Sequence, residues 1–323
     1  MDNDCYEEYL NLSLNYDGKR QSKFLEDLSK KHGYGSTESM RSAFRREREK
    51  RGHADLETSR DRLLESPVVA VVDIETLPLK IEGYLWGIRD QYIGHAMIKE
   101  NSVILSWAAK YINGTETYSD IMTPDETLSY DSYRVTSSVR NFLDTCDFVI
   151  GHNWDEFDGK VISTEVMKHD MHPIRYRSID TYKLIKTHFR LPSYKLGYVN
   201  EYFGIRDKLS NSGMGLWEAC ASGDESSLNA MMEYNIGDIF AEEDLFWYIQ
   251  PHVQGIPNFN SYSEKNISIC QCGGELILDS YKPLIFTNLA SYERMVCVKC
   301  GSLHRGRKNL LSKQKRNSLL VRL

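Results

Sequence analysis

Asp73 and Glu75 close an apolar run, VVAVVDIE over 68–75. In a strand, residues i and i+2 project to one face, so the two carboxylates point together while Ile74 points the other way. Two like charges at the edge of a core repel, and an uncompensated carboxylate there is costly. A divalent cation would compensate both, and an oxygen-only donor set selects a hard one, Mg²⁺ or Mn²⁺. A lone D-x-E is far more often a solvent-exposed strand end, so the chemistry needs further ligands. Two stretches offer them. In FVIGHNWDEFDGKVI (148–162) a strand runs into a turn, and Asp158 stands beside Phe157 at a helix start. In YNIGDIFAEEDL (234–245) Tyr234 and Asp238, at i and i+4, share a helix face. An Asp at a helix start is often a cap, and a Tyr four residues from an Asp is commonplace. The weight lies in the conjunction.

A second donor set is sulfur. CQCGG (270–274) and CVKCG (297–301) are two cysteine pairs, each followed by the glycine that lets a turn aim amide N–H groups at sulfur. The thiolates of Cys270, Cys272, Cys297 and Cys300 suit tetrahedral Zn²⁺, and the segment resembles a zinc ribbon. Its first pair is C-x-C rather than C-x-x-C, which leaves Cys270 the least secure ligand and His304 as its substitute. A reduced cluster without metal is the competing reading. Cys5, Cys146 and Cys220 are scattered and read as incidental.

The elements that must position these groups follow from periodicity and turn residues. VVAVVDIE reads as a buried strand, SVILSWAAKYI (102–112) as a second and TETYSD (115–120) as a third, after an Asn113-Gly114 hairpin turn. Val135, Val139, Phe142 and Leu143 have helical spacing, and DFVIG (147–151) is the next strand. Residues 161–250 read as mainly helical, ending in a long helix from about Ser227 to Tyr248; Asp180, in SIDTYKL, reads as a helix cap. Hairpin-linked strands followed by strand-helix alternation predict an α/β fold with a mixed sheet flanked by helices. Pro251, Gly255 and Pro257 mark a linker over 251–265, followed by the ribbon (266–304) and a basic tail (305–323).

The net charge of −6 conceals a division along the chain. Residues 17–53 carry 11 Lys+Arg against 6 Asp+Glu and residues 301–323 carry 7 against none, whereas residues 54–260 carry 18 against 32. The middle is fitted to hold cations, and the flanks can meet a polyanion. Within the helical region 1–60, two charged segments flank HGYGST (32–37), with Ser36 or Thr37 as a cap and Arg41, Arg45, Arg46 and Arg48 on the second. The pair resembles a helix-turn-helix element and fits a charged helical hairpin equally. The tail is either a phosphate-neutralising segment or a solubilising one. With no apolar run of 18 residues and no signal-peptide start, neither a membrane span nor secretion is expected; sparse, clustered cysteines fit a reducing cytosol.

In chain order, D-x-E (Asp73, Glu75), N-x-x-x-F-D (Asn153, Phe157, Asp158) and Y-x-x-x-D (Tyr234, Asp238) resemble the three exonuclease motifs of the DEDD superfamily, tyrosine subclass. The spacing from Asn153 to Phe157 and the stretch SIDTYKLIKTHFRLPSYKLGYVNEYFGI (178–205) are similar to the proofreading domains of family-B DNA polymerases. The resemblance covers about residues 67–250 and extends to stand-alone exonucleases of bacteriophages. It implies a ribonuclease H-like fold and a 3′-to-5′ exonuclease in a bacterial or phage-infected cytoplasm. It also implies two Mg²⁺ or Mn²⁺ ions, with Asp73 bridging them, Glu75 and Asp238 completing the site of the ion that generates the nucleophile, and Asp158 serving the other. Tyr234 would hold the attacking water, its hydroxyl being a poor base at an ordinary pKa near 10. Asn153 and Phe157 would lie near the terminal nucleotides, although an Asn there can simply make a turn and a Phe can belong to the core. His152 lies outside the pattern. Phosphodiester hydrolysis independently calls for an activated water and a neutralised leaving oxygen, which four carboxylates holding two cations can provide. DNA is the expected partner, with a replication or repair protein possible beside it. The alternatives are a ribonuclease of the same superfamily and a DNA-binding regulatory protein with a vestigial nuclease core.

Overall fold

Strand β1 (Val69–Leu77) is the middle of a five-stranded sheet in the computed structural model, which accounts for the unbroken apolar run at its start. The structure describes residues 4–5, 27–37, 39–40, 43, 67–83, 93–112, 114–206, 213–262 and 268–321. A short ribbon, β2 (Lys80–Ile81) with β3 (Ile98–Glu100), follows β1. Then come β4 (Val103–Tyr111), β5 (Thr117–Ile121), β6 (Phe148–Gly151) and β7 (Arg177–Asp180), giving the sheet order β5-β4-β1-β6-β7. The pairings β1/β4 and β4/β5 are antiparallel, while β1/β6 and β6/β7 are parallel, so the sheet is mixed as expected. Asn113 lies outside the described residues; the hairpin it was expected to close is present, and the Gly114 N–H donates to the Tyr111 carbonyl at 2.8 Å.

Helices cover both faces. Among them are α1 (Pro124–Ser129), entered through a Thr123/Glu126 capping box, α2 (Tyr133–Leu143), α3 (Asp158–Lys168) and α4 (Thr181–His188). They continue as α5 (Leu196–Phe203), α6 (Met214–Ala221) and α7 (Glu225–Ile249). Strand alternation sorts the faces. Trp107 and Tyr111 of β4 pack on Phe142 of α2, while Ser106 and Lys110 bond Asn235 and Glu243 of α7. On β1, Ala70, Val72 and Ile74 join the core with Val135, Val139 and Leu143 of α2, which leaves Asp73 and Glu75 on the α7 side. That assignment matches the two-residue period read from the sequence. Helix α7 is capped by Asp224, whose carboxylate accepts the Ser227 N–H at 2.8 Å, and it ends before Pro251.

The sequence pattern did not single out β7. It is an edge strand with only Ile179 and Asp180 buried, inside a stretch read as mainly helical. Within the expected linker, the Phe259 ring packs tilted against Phe148 with centroids 5.1 Å apart, and just before it Gln250 Nε2 bonds Gln271 Oε1 at 3.0 Å. Beyond it lie β8 (Leu276–Leu278), β9 (Leu284–Phe286), β10 (Ser291–Cys297) and β11 (Leu303–Arg305), all paired with β10. Bonding to β10 continues past β11 through Gly306 and Leu310, so the start of the basic tail is laid along the sheet before a short helix, α8 (Lys313–Ser318).

By contact the chain forms two units, Met1–Ser66 with Tyr262–Glu264 and Pro67–Ser261 with Lys265–Leu323. In the first, residues 27–31 are helical, Gly33 turns the chain at φ +72°, and Cys5, Leu28 and Met40 are buried together. Ser36 caps the following helix, its Oγ accepting the Ser39 N–H at 3.1 Å, as one of the two expected caps would. Arg41, Arg45, Arg46 and Arg48 lie outside the described residues.

Candidate active site

Asp73, Glu75 and Asp238 converge: each offers one carboxylate oxygen, and the three oxygens lie within 4.8 Å of one another. The first two come from the rigid middle strand. The third comes from α7, whose face is lined at i, i+4 and i+8 by Tyr234, Asp238 and Glu242. Asp158 approaches from the start of α3 and is buried. Strand β6 pairs β1 only through Val71, and further along that edge the Ile74 N–H donates to Asp158 Oδ1 at 3.3 Å. A side chain thus takes over where the ladder ends.

The charges acting on Asp73 are all negative. Burial, then Asp158, Glu75, Asp238 and Glu242, push its carboxyl well above the ordinary carboxylate range. Glu75 is pushed up to about 8 by burial and by Asp238 and Asp158. Burial raises Asp158 to about 7, against bonds from its own N–H and that of Ile74, and raises Asp238 to about 6, against a bond from Tyr234. Tyr234 is itself raised, by burial and then by Asp238 and Glu75, and so stays protonated as a donor. Oxygen-only donors, gathered with no positive charge among the described residues shown to offset them, fit one or more hard divalent cations.

Three residues that the sequence did not mark adjoin the cluster. Asn235 is fully buried; its Nδ2 donates to Asp73 Oδ2 at 2.6 Å while its Oδ1 accepts the Ser106 hydroxyl at 3.1 Å. Trp217 of α6 lies by the Glu75 carboxylate, whose charged form it favours, and meets Tyr234 edge-on, with centroids 6.3 Å apart. Glu242 is buried, with its Oε1 bonded to the Thr181 hydroxyl at 2.7 Å; burial raises it to about 8. The i+8 spacing from Tyr234 was a legible signal for Glu242. No comparable signal marked Asn235 or Trp217.

The turn before Asp158 is set by backbone bonds and one buried ring. Asn153 adopts φ +67°, which Asn tolerates better than most residues, and its carbonyl accepts the Glu156 and Phe157 N–H groups. Asp180 caps α4 through the Lys183 N–H at 3.1 Å, as expected, and also accepts the amides of Asn153 (3.2 Å) and Asp155 (3.1 Å). Trp154 fills the turn so tightly that a Cβ on Gly151 would fall 2.7 Å from its ring and one on Gly159 would fall 3.0 Å from its Nε1. Phe157 is 45% exposed, which removes the core assignment and leaves its ring open to a ligand. His152 sits to one side, Nε2 on the Tyr194 carbonyl at 2.7 Å and Nδ1 on the Thr181 hydroxyl at 2.9 Å; burial lowers its pKa.

The four sulfur atoms of Cys270, Cys272, Cys297 and Cys300 also lie within 4.8 Å of one another. Cys270 is therefore inside the group despite the short C-x-C spacing. His304 is not among the gathered donors; its Nε2 bonds the Ser302 hydroxyl at 2.6 Å. A Cβ on Gly274 would fall 2.5 Å from Cys297 Sγ, so glycine is required there. Burial pushes the Cys297 thiol up, but the N–H groups of Cys300 and Lys299 outweigh it and bring it to about 7. That donor set fits Zn²⁺.

The family description RNase_H_2, of the RNase_H superfamily, matches residues 98–250. The match takes in Asp158, Tyr234 and Asp238 and begins after β1, so Asp73 and Glu75 lie outside it. It supports a nuclease-type hydrolase on a ribonuclease H-like fold. No curated protein sequence matches the chain. Among solved structures, the chain is similar to the family B DNA polymerase of the hyperthermophilic archaeon Pyrobaculum calidifontis, at 16% identity and a TM-score of 0.45, over 57% of this chain. The likeness spans 25% of the polymerase, and a TM-score this low supports nothing further. Among the described residues no helix is long and apolar enough to cross a membrane.

Proposed function

We propose that the chain is a metal-dependent 3′-to-5′ exonuclease that hydrolyses phosphodiester bonds of DNA, acting on single strands or 3′ ends. The observation that carries this reading is the meeting of Asp73, Glu75 and Asp238 within 4.8 Å, with Asp158 bonded to the same strand. These four carboxylates would hold two divalent cations. When bound, the cations would lower the pKa of an attacking water and neutralise the leaving oxygen. The chain's own groups do the positioning. Asn235 fixes Asp73 from outside the cluster, as donors behind metal ligands do, and Trp217 favours the charged form of Glu75. Tyr234, beside Asp238 on one helix face and kept protonated, orients the water rather than deprotonating it. Phe157, exposed on the turn before α3, offers a face on which a terminal base can stack, with Asn153 setting the turn. The four cysteines would hold a structural Zn²⁺.

Labelled single strands of DNA and RNA, incubated with Mg²⁺ and the wild-type or Asp73→Ala protein, test the proposal. Stepwise loss of nucleotides from the 3′ end of DNA by the wild type alone is expected. Intact shortening by Asp73→Ala would remove the assignment, and faster shortening of RNA would replace the substrate.

A further inference from the structure

In the cysteine module, the five residues Asp279–Pro283 stand opposite one residue of β10: Asp279 N–H donates to the Arg294 carbonyl, and Arg294 N–H donates to the Pro283 carbonyl, both at 2.9 Å. This excursion between β8 and β9 has a fixed shape. The Asp279 carboxylate accepts the N–H groups of Tyr281 (2.9 Å) and Lys282 (3.2 Å) and lies 3.0 Å from the Arg294 guanidinium. On that ordered loop the Tyr281 side chain is 94% exposed, and Phe286, at the end of β9, is 68% exposed. Rings displayed on ordered backbone bury little in the fold and lose little entropy on stacking.

The same module is strongly basic. Residues 268–321 carry nine Lys+Arg against three Asp+Glu, and one of the three, Asp279, is engaged inside the loop. Arg307 and Lys308 follow Gly306, which bonds Glu293 on the edge of β10 opposite β9. With strands about 4.8 Å apart, they stand roughly 10 Å from β9 across the sheet. Exposed rings and cations together select a ligand with flat π faces and regular negative charge. A second copy meeting it through the same module would bring the same positive charge and be repelled.

We propose that this face is a binding site for single-stranded nucleic acid, with bases stacked on Tyr281 and Phe286 and phosphates held by Lys282, Arg307 and Lys308. Choosing nucleic acid over an acidic protein rests on the exonuclease reading; the binding itself does not require cutting. Gln250, which bonds Gln271 of the module, lies twelve residues beyond Asp238 along the chain, about 18 Å at helical rise. Long strands alone can engage both sites.

The test uses the full-length chain carrying Asp73→Ala, so that no strand is shortened, and a labelled thirty-nucleotide oligodeoxythymidylate, with anisotropy read at several salt concentrations. Tyr281→Ala with Phe286→Ala should weaken binding roughly tenfold or more and leave the salt slope unchanged. Arg307→Ala should instead lower the slope by about one. An abasic strand of equal length and charge should bind the protein with both rings intact at least as weakly as the normal strand binds the double variant, since it also forgoes stacking on Phe157; this arm needs no ring substitution to fold. Equal affinity of the abasic and normal strands, or of the double variant and its parent, overturns the proposal and leaves the face to a protein partner. A wild type that shortens no strand while these arms behave as expected ends the exonuclease reading and leaves this site standing.

Discussion

The carboxylate cluster and the cysteine cluster are both four-residue donor sets built from distant parts of the chain, yet their surroundings are opposite. Asp73, Glu75, Asp158 and Asp238 sit on the middle strand and the two helices packed beside it, over a core that is complete without them. The cysteines sit among strands of three to seven residues, of which Ile277, Leu278, Leu284 and Phe286 remain exposed. In the first region the fold forces like charges together, and a cation would relieve them. In the second little apolar surface is buried, and a cation would supply much of what holds the strands. One donor set is tolerated by its scaffold, and the other, once metal-bound, would make its scaffold.

Substitutions can break that contrast. The largest effect is expected from Asp73→Ala, which should abolish nucleotide release while raising the melting temperature of the metal-free protein, since it removes one repelling charge; calorimetry in chelator beside the strand assay checks both. Cys297→Ser should do the reverse: loss of bound zinc by metal analysis and loss of amide protection confined to residues 268–311, with release from a dinucleotide unchanged. Asn235→Ala, which unties Asp73, should raise the Mg²⁺ concentration for half-maximal activity about 10- to 100-fold. Gly151→Ala presses a methyl on the Trp154 ring and should cost about 1–3 kcal/mol of stability by denaturant unfolding.

A pH series gives the smallest expected effect. The folded carboxyls of Glu75, Asp158 and Asp238 are raised to about 8, 7 and 6, so between the ordinary carboxylate range and pH 8 the metal-free native state binds more protons than the unfolded one. Stability contributed by these groups is present at low pH and is lost as pH rises through that window. Melting temperature without metal should therefore fall from pH 5 to pH 8, and added Mg²⁺ should restore more of it at pH 8. An unchanged profile would mean that the carboxylates are compensated from within the chain.

Much of this was readable before any coordinates. Strands β1, β4 and β6 announced themselves by apolar runs, and α2 by the spacing of four buried residues, because each lies against the core along its length. The two-residue alternation placed Asp73 and Glu75 on one face correctly. Strand β7 was not readable because half of it is exposed and its Asp180 doubles as a cap. Helix α1 was passed over although Thr123, Pro124 and Glu126 spell a capping box. Asn235 and Trp217 were invisible for a different reason: their task depends on which side chain faces them across the fold, and neither residue type advertises it. His304 was offered as a ligand by proximity in sequence, but it bonds Ser302 instead.

The bond from the Ile74 amide to Asp158 has a practical consequence. That proton belongs to the main chain of the central strand, yet its acceptor is a candidate cation ligand. Any change in the charge on the carboxylate must move the resonance of this one amide, so a single nitrogen-proton cross-peak would serve as an occupancy gauge, readable in the resting protein with neither strand nor product in the tube.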